Sequence, residues 1–311
     1  MNLAINGFGR IGRHAFKAAF DKKNINIIGI NDLTDTKTLA HLLKYDTAYG
    51  AYHHEVSYDE TNLIVDGKKV AVYAEKDPSM LPWAKLKVDV VLECTGRFTD
   101  KEGAELHIKA GANKVIISAP AKGLNVPTYV RAVNCGRVGK ESAAVINNAS
   151  CTTNSIAPAM AVIEEKFGIA KALMTTIHSY TGDQNLQDGP HKDLRRARAA
   201  ASNMVPTTTG AAKAVGEVMS SDFTMLLKKK VTKEEINQAF IEASQTERFK
   251  GVLATTTEPL VSSDFIGNTN SCTIDLSLTN VVDGDLVKVI AWYDNEYGYA
   301  HRLVELAELY A

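Results

Sequence analysis

The run Gly7-Phe8-Gly9-Arg10-Ile11-Gly12 constrains this chain most, because it sets three glycines at fixed offsets between a short apolar run and a helical pattern. Residues 3–5 predict a strand. Residues 10–20 predict a helix, with Ile11, Ala15, Ala18 and Ala19 recurring at near-helical spacing, and β-branched residues 25–30 predict a second strand. In such a βαβ unit the first glycine permits a tight turn, the second lets backbone approach a pyrophosphate, and the third lets helix lie close to strand. Helix N-terminal amides then hold the phosphates. Asp32 stands at the end of the second strand, twenty positions beyond Gly12, where its carboxylate can accept from both ribose hydroxyls and repel a 2'-phosphate. The pattern points to NAD rather than NADP. The plainer alternative is a glycine turn beside a surface aspartate, and the strand-then-helix context weighs against it.

Further apolar runs at 88–92 and 115–117 end in Thr95-Gly96 and Ser118-Ala119-Pro120, as buried strands opening into loops do. Ligands of open α/β sheets sit outside the carboxyl ends of strands, so Asn31, Asp32, Thr95, Gly96 and Ser118 are expected to edge one crevice. The fold class expected is α/β, with a Rossmann-type doubly wound parallel sheet. After Ser150 the texture changes to an amphipathic helix (151–167), a strand (173–177) and a long polar loop (179–201). Residues 286–293 predict a strand and 300–310 a packed helix. At 311 residues two domains are expected: 1–150, joined by a terminal helix at about 296–311, and an α+β domain with a mixed sheet at 151–295.

A net charge of -1 gives no overall field favouring nucleic acid or an anionic membrane. No apolar run approaches membrane-spanning length, and the first residues lack the layout of a secretory signal. The expectation is a soluble cytoplasmic protein. Cys94, Cys135, Cys151 and Cys272 are scattered without a Cys-x-x-Cys pair, which argues against structural zinc and a disulfide framework; no metal site is expected.

Cys151 lies at the start of the helix expected at 151–167, where the helix dipole favours a thiolate. His178 ends the strand expected at 173–177. An isolated cysteine is more often a small buried hydrophobe and an isolated histidine more often structural, but placing the two on consecutive elements changes that weighting. A thiolate adding to an aldehyde gives a thiohemiacetal, and a base removing its hydroxyl proton eases hydride departure; the thioester product invites a second nucleophile. Ser150, Thr152, Thr181, Thr209 and the Gly210 amide are neutral donors suited to phosphate oxygens, with Arg196 able to add charge.

The runs Asn6-Gly-Phe-Gly-Arg-Ile-Gly12, Ala149-Ser-Cys-Thr-Thr-Asn154 and Trp292-Tyr-Asp-Asn-Glu-Tyr-Gly-Tyr299 closely resemble the glyceraldehyde-3-phosphate dehydrogenases. So do the blocks beginning at His178, His191 and Pro206. The resemblance spans almost the whole chain. It implies Cys151 as nucleophile and His178 as base. It groups Ser150, Thr152, Thr209 and Gly210 around one phosphate position, with Thr181 and Arg196 facing the other. It also implies NAD contacts from Arg10, Ile11, Asp32, Lys76, Ser118 and Asn295, the last orienting the nicotinamide. A homotetramer is implied too, with the loop from Ser179 packed against a neighbour near its cofactor. The implied reaction is NAD-dependent oxidative phosphorylation of D-glyceraldehyde 3-phosphate in glycolysis or its reverse.

One departure stands out. Between Met219 and Ser221-Asp222-Phe223 the family carries roughly twenty further residues, enough for a strand and its connections. These supply a sheet strand and a phosphate-binding arginine, so their loss predicts a rearranged sheet or a shortened sequence. Cys135 after Asn134 is a smaller departure. Two other readings follow: an erythrose-4-phosphate dehydrogenase, with water releasing the acyl group, and a non-catalytic NAD-binding scaffold.

Overall fold

Alternation along the first strands decides the architecture of the first half. The computed structural model of the chain describes residues 1–123, 125–139, 142–207 and 224–311. Leu3, Ile5, Val90, Leu92 and Ile116 point into one fully buried cluster, while Ala4, Val91, Val115 and Ile117 point into another on the opposite face. A sheet apolar on both faces needs cover on both, which is the doubly wound solution. Its eight strands run, in spatial order, Val145–Asn147, Lys114–Ile117, Val90–Glu93, Asn2–Asn6, Asn26–Asn31, Lys68–Tyr73, Asn62–Val65 and Val56–Tyr58. The first six are parallel, and the last two are joined at the edge by antiparallel pairings. The chain winds outward from the Asn2–Asn6 strand in one direction and returns to its other side, so the order reverses beside that strand. Ligand crevices open at such a place.

Helix Arg10–Phe20 covers one face through Ala15, Phe16 and Ala19, and the terminal helix Tyr297–Tyr310 packs on it through Ala300, Leu303, Val304 and Ala307. Helix Cys151–Phe167 anchors a separate core with Ile156, Met160 and Ile163 against Met225, Phe240, Ile274 and Val287. Two small sheets line that core. One is antiparallel in the order Ile169–Leu173, Thr224–Leu227, Leu286–Lys288, Asn280–Val282. The other, Leu253–Thr256, Cys272–Asp275 and Ala291–Trp292, pairs both parallel and antiparallel. No helix among the described residues is long and apolar enough to cross a membrane.

Two expectations about this half are corrected. The strand expected at 173–177 lies earlier, at Ile169–Leu173, paired antiparallel with Thr224–Leu227. Leu173 is 74% exposed and Ile177 98% exposed, while Met174 between them packs against the second core. The strand expected at 286–293 breaks into Leu286–Lys288 and Ala291–Trp292, which serve different sheets.

Candidate active site

The glycine turn builds the first half of the site. Gly7 has φ +88°, and a Cβ there would sit 2.7 Å from the Thr95 amide nitrogen. A Cβ on Gly12 would sit 2.0 Å from the Gly7 carbonyl oxygen, so the helix starts hard against the turn. At Gly9 a Cβ would meet no atom within 4 Å, and Gly9 also offers no side chain to cap the helix that follows. The helix thus starts beside open space at Gly9, at the positive end of its dipole, where first-turn amides can meet an anion. That opening belongs to a cleft of about 290 Å³ lined by Asn6, Gly7, Gly9, Asn31, Asp32, Lys76 and Thr95 among others. Asp32 accepts from the Phe8 amide at 2.7 Å and the Thr34 amide at 2.9 Å, which fixes its carboxylate beside the turn with lone pairs to spare. An uncapped helix start, an open glycine and a fixed carboxylate fit the phosphates and ribose of a dinucleotide.

A buried polar network holds the cleft wall from behind. Glu93, 1% exposed, accepts from Asn6 Nδ2 (2.5 Å), His107 Nε2 (3.0 Å), the Thr95 amide (2.8 Å) and the Thr95 hydroxyl. Trp83 Nε1 donates to His107 Nδ1 at 3.0 Å, so the hydrogen of neutral His107 must sit on Nε2, facing Glu93. Asn6 in turn accepts from Asn31 Nδ2 at 2.7 Å, which ties three adjacent strand ends together.

Not every residue expected at the cleft points into it. The Arg10 guanidinium is committed to Glu296 and Asp46, at 2.5 Å from each, leaving its main-chain amide for a phosphate. Ser118 is engaged with Cys94 and does not line the cleft.

The second half of the site hangs on a turn after the strand Val145–Asn147. Asn147 Nδ2 donates to the Thr128 hydroxyl at 2.9 Å, and its Oδ1 accepts from the Ala149 amide at 2.9 Å. Asn154 Nδ2 donates back to the Asn148 carbonyl at 2.7 Å. Ala149 is forced to φ +53°, a left-handed conformation costing a non-glycine residue on the order of 1–3 kcal/mol, and it is fully buried. This turn delivers Ser150 as helix cap, accepting from the Thr153 amide at 3.0 Å, and Cys151 as the first helical residue.

Cys151 Sγ lies 3.4 Å from His178 Nε2. His178 Nδ1 lies 2.7 Å from the Ser179 carbonyl oxygen, which can only accept, so Nδ1 carries hydrogen and Nε2 is free to take the thiol proton. Burial pushes Cys151 up, opposed by hydrogen bonds from the Thr152 side chain and amide. Activation rests on the imidazole instead. Cys94, Cys135 and Cys272 are pushed by burial to about 12, which makes them inert small hydrophobes.

Tyr293 was not singled out from the sequence. Its hydroxyl bridges Thr152 Oγ1 (2.9 Å) and Thr176 Oγ1 (3.0 Å), and its ring stands edge-on to His178, 5.8 Å between centroids. Asp294 holds the turn that presents it, accepting from the Tyr49 hydroxyl (2.7 Å) and the Glu296 and Tyr297 amides (2.9 and 2.8 Å). Asn295 Oδ1 accepts from the Ser179 hydroxyl at 3.4 Å, and its amide hydrogens meet no acceptor among the described residues. The sequence signal was the polar run 293–296 just after an apolar strand, but nothing in it said which side chain faced Cys151.

The phosphate donors are less assembled. The Ser150 hydroxyl caps its helix, the Thr152 hydroxyl meets Tyr293, and the Thr181 amide donates to Gln184 Oε1 at 3.2 Å. Arg196 pairs with Asp183 at 2.8 Å and donates to the Thr207 hydroxyl at 3.3 Å. Thr209, Gly210 and the junction after Met219 lie outside the described residues.

Comparison with known proteins places the sequence in a family. Residues 1–101 match the family model described as glyceraldehyde 3-phosphate dehydrogenase, NAD binding domain. The C-terminal domain model of the same family matches residues 150–221 and 218–295, breaking and restarting close to Met219. The chain is 52% identical to the glyceraldehyde-3-phosphate dehydrogenase of Thermotoga maritima, covering 99% of this chain and 98% of that protein. It is 51% identical to that of Geobacillus stearothermophilus, covering 99% and 97%. The first alignment runs over 329 positions against a chain of 311 residues, so the relative has residues with no counterpart here. On sequence and on the architecture of its two cores, the chain belongs to the glyceraldehyde 3-phosphate dehydrogenase family.

Proposed function

We propose that this chain oxidises D-glyceraldehyde 3-phosphate with NAD and inorganic phosphate to 1,3-bisphosphoglycerate, through a thioester on Cys151. The observation that carries the reading is the 3.4 Å approach of Cys151 Sγ to an imidazole whose other nitrogen is tied to a carbonyl. His178 Nε2 takes the thiol proton, the thiolate adds to the aldehyde carbon, and the proton returns to the new alkoxide to give a thiohemiacetal. His178 then takes the hydroxyl proton as the carbonyl reforms. When bound, NAD supplies the acceptor for the hydride leaving that carbon. Inorganic phosphate attacks the thioester, and the thiolate leaves to be reprotonated by His178.

The dinucleotide is held in this reading by Gly7, Gly9 and Gly12, the amides of Arg10 and Ile11, Asp32, Lys76 and Thr95. Asn295 presents its amide hydrogens to the nicotinamide. Ser150, Thr152, Thr209 and Gly210 serve one phosphate and Thr181 with Arg196 the other, which requires Arg196 to yield its pairing with Asp183. Residues 1–150 with the helix at 296–311 form the cofactor domain, and 151–295 the catalytic domain.

A cytoplasmic homotetramer completes the proposal. It is supported by Leu173, Ile177, Leu186, Leu194 and Met204, each at least 74% exposed within one stretch, a concentration of apolar surface suited to burial against a copy of the chain.

Steady-state NADH formation on D-glyceraldehyde 3-phosphate and on erythrose 4-phosphate, with and without inorganic phosphate, tests the reading. The expected result is phosphate-dependent turnover that prefers the triose. Preference for the tetrose with water as acceptor supports the alternative dehydrogenase, and NAD binding without turnover supports a scaffold.

A further inference from the structure

At the far end of helix Arg10–Phe20, three metal-ligating side chains converge from two places in the chain. Asp21 caps the helix, and His53 and His54 follow the short strand Gly50–Ala51. Their ligand atoms all lie within 4.8 Å of one another, the one such group among the described residues. Asp21 stands 3.0 Å from His54 Nε2 and 3.8 Å from His53 Nε2. Two donors bound tetrahedrally at about 2.0–2.1 Å from one ion lie roughly 3.3 Å apart, so these separations bracket what a shared ion needs.

The central imidazole is fixed from outside the cluster. His54 Nδ1 lies 2.5 Å from Asp66 Oδ2, and Asp66 Oδ1 accepts from the Glu55 amide at 2.9 Å. A carboxylate behind a histidine in this way orients the ring and raises its basicity as a ligand. Phe20 and Tyr52 pack edge-on to His54, at 5.0 and 4.9 Å between centroids, and leave it 15% exposed, against 73% for His53 and 60% for Asp21. The outer face is thus open to solvent while the inner ligand is held.

Charge points the same way. Asp21 sets a carboxylate at the negative end of a helix dipole, which calls for a neighbouring cation. A proton on His54 Nε2 answers with one imidazole; it gives no role to the second, whose Nε2 faces the same carboxylate. We propose that Asp21, His53 and His54 bind a divalent transition ion of the zinc class, with Asp66 orienting His54 and water completing the coordination. Two imidazole nitrogens and a carboxylate oxygen suit such an ion better than calcium or magnesium. Cysteine spacing was silent here, because none of the ligands is a cysteine and Asp21 is distant from the histidines in sequence.

The test is calorimetric titration of the chelator-treated full chain with ZnCl2. A Cys151→Ser background removes the thiol that would compete for zinc beside His178. One ion per chain is expected, bound at least tenfold more weakly after His53→Ala or Asp21→Asn. Both replaced side chains are largely exposed, and circular dichroism checks that the variants stay folded. With Cys151 intact, His53→Ala is expected to keep full dehydrogenase activity. Absence of binding up to millimolar zinc, or binding indifferent to both substitutions, overturns the proposal.

Discussion

Replacing His178 with asparagine removes two separate contributions, and their sizes follow from the geometry. Two unit charges 3.4 Å apart attract by about 1 kcal/mol in water and about 5 kcal/mol at an effective dielectric near 20. His178 is exposed while Cys151 is half-buried, so a value of about 2 kcal/mol is reasonable, or about thirtyfold in thiolate population. The second loss is the base for the thiohemiacetal hydroxyl, typically about 10²- to 10⁴-fold, or roughly 3–5 kcal/mol. Iodoacetamide alkylation reads the first contribution and kcat reads both. Burial already raises the Cys151 thiol, so without the imidazole the alkylation profile should move to still higher pH. At neutral pH alkylation should slow at least tenfold, and kcat should fall at least a hundredfold. An alkylation profile matching that of the parent chain, or a kcat within tenfold of it, would refute the reasoning.

Asp32→Asn weakens a charged acceptor worth about 1.5–3 kcal/mol, so the KM for NAD should rise at least tenfold with kcat less affected; an unchanged KM removes Asp32 from the cofactor contacts. Gly12→Ala drives a methyl into the Gly7 carbonyl and is expected to abolish NAD binding or stable folding, read by NAD titration and thermal melting. Glu93→Gln turns an amide donor toward groups that already donate, costing about 1–3 kcal/mol of stability; the melting temperature should drop and the KM for NAD should rise more than kcat falls. His14 is lowered to about 3 and His301 to about 4, each by burial first and then by a neighbouring arginine, Arg10 and Arg302 respectively. Below pH 6.5 the unfolded chain binds protons that the folded chain refuses, so stability falls with pH. The loss should reach roughly 2 kcal/mol per histidine at pH 5, seen as an acid-shifted urea midpoint that His14→Gln partly abolishes.

The parallel half of the fold was legible because each strand and helix there satisfies its own periodicity. The helix from Arg10 ends at Phe20 as read, and the strand ends bring Asp32 and Thr95 to one cleft through a topology that a glycine turn already implies. The second half was less legible. Residues 169–177 hold no glycine or proline to mark an end, and the strand they form at Ile169–Leu173 pairs with a segment more than fifty positions away. Tyr293, Glu93 and Glu296 were unreadable for a similar reason. Tyr293 falls at the end of the strand expected at 286–293 and Glu93 just past the apolar run 88–92, and neither position tells which groups hydrogen-bond to it. The direction of the Cys151 shift was also hidden, since a sequence shows a helix start but not how deeply the sulfur is buried.

A single turnover without inorganic phosphate is the most direct test of covalent chemistry at Cys151. With NAD and D-glyceraldehyde 3-phosphate in excess, the chain should release a burst of at most one NADH per site. Peptide mass analysis of the quenched protein should find the acyl group on the segment containing Cys151, and added phosphate should discharge it. A burst with no acyl adduct, or an adduct on any other residue, would contradict the account.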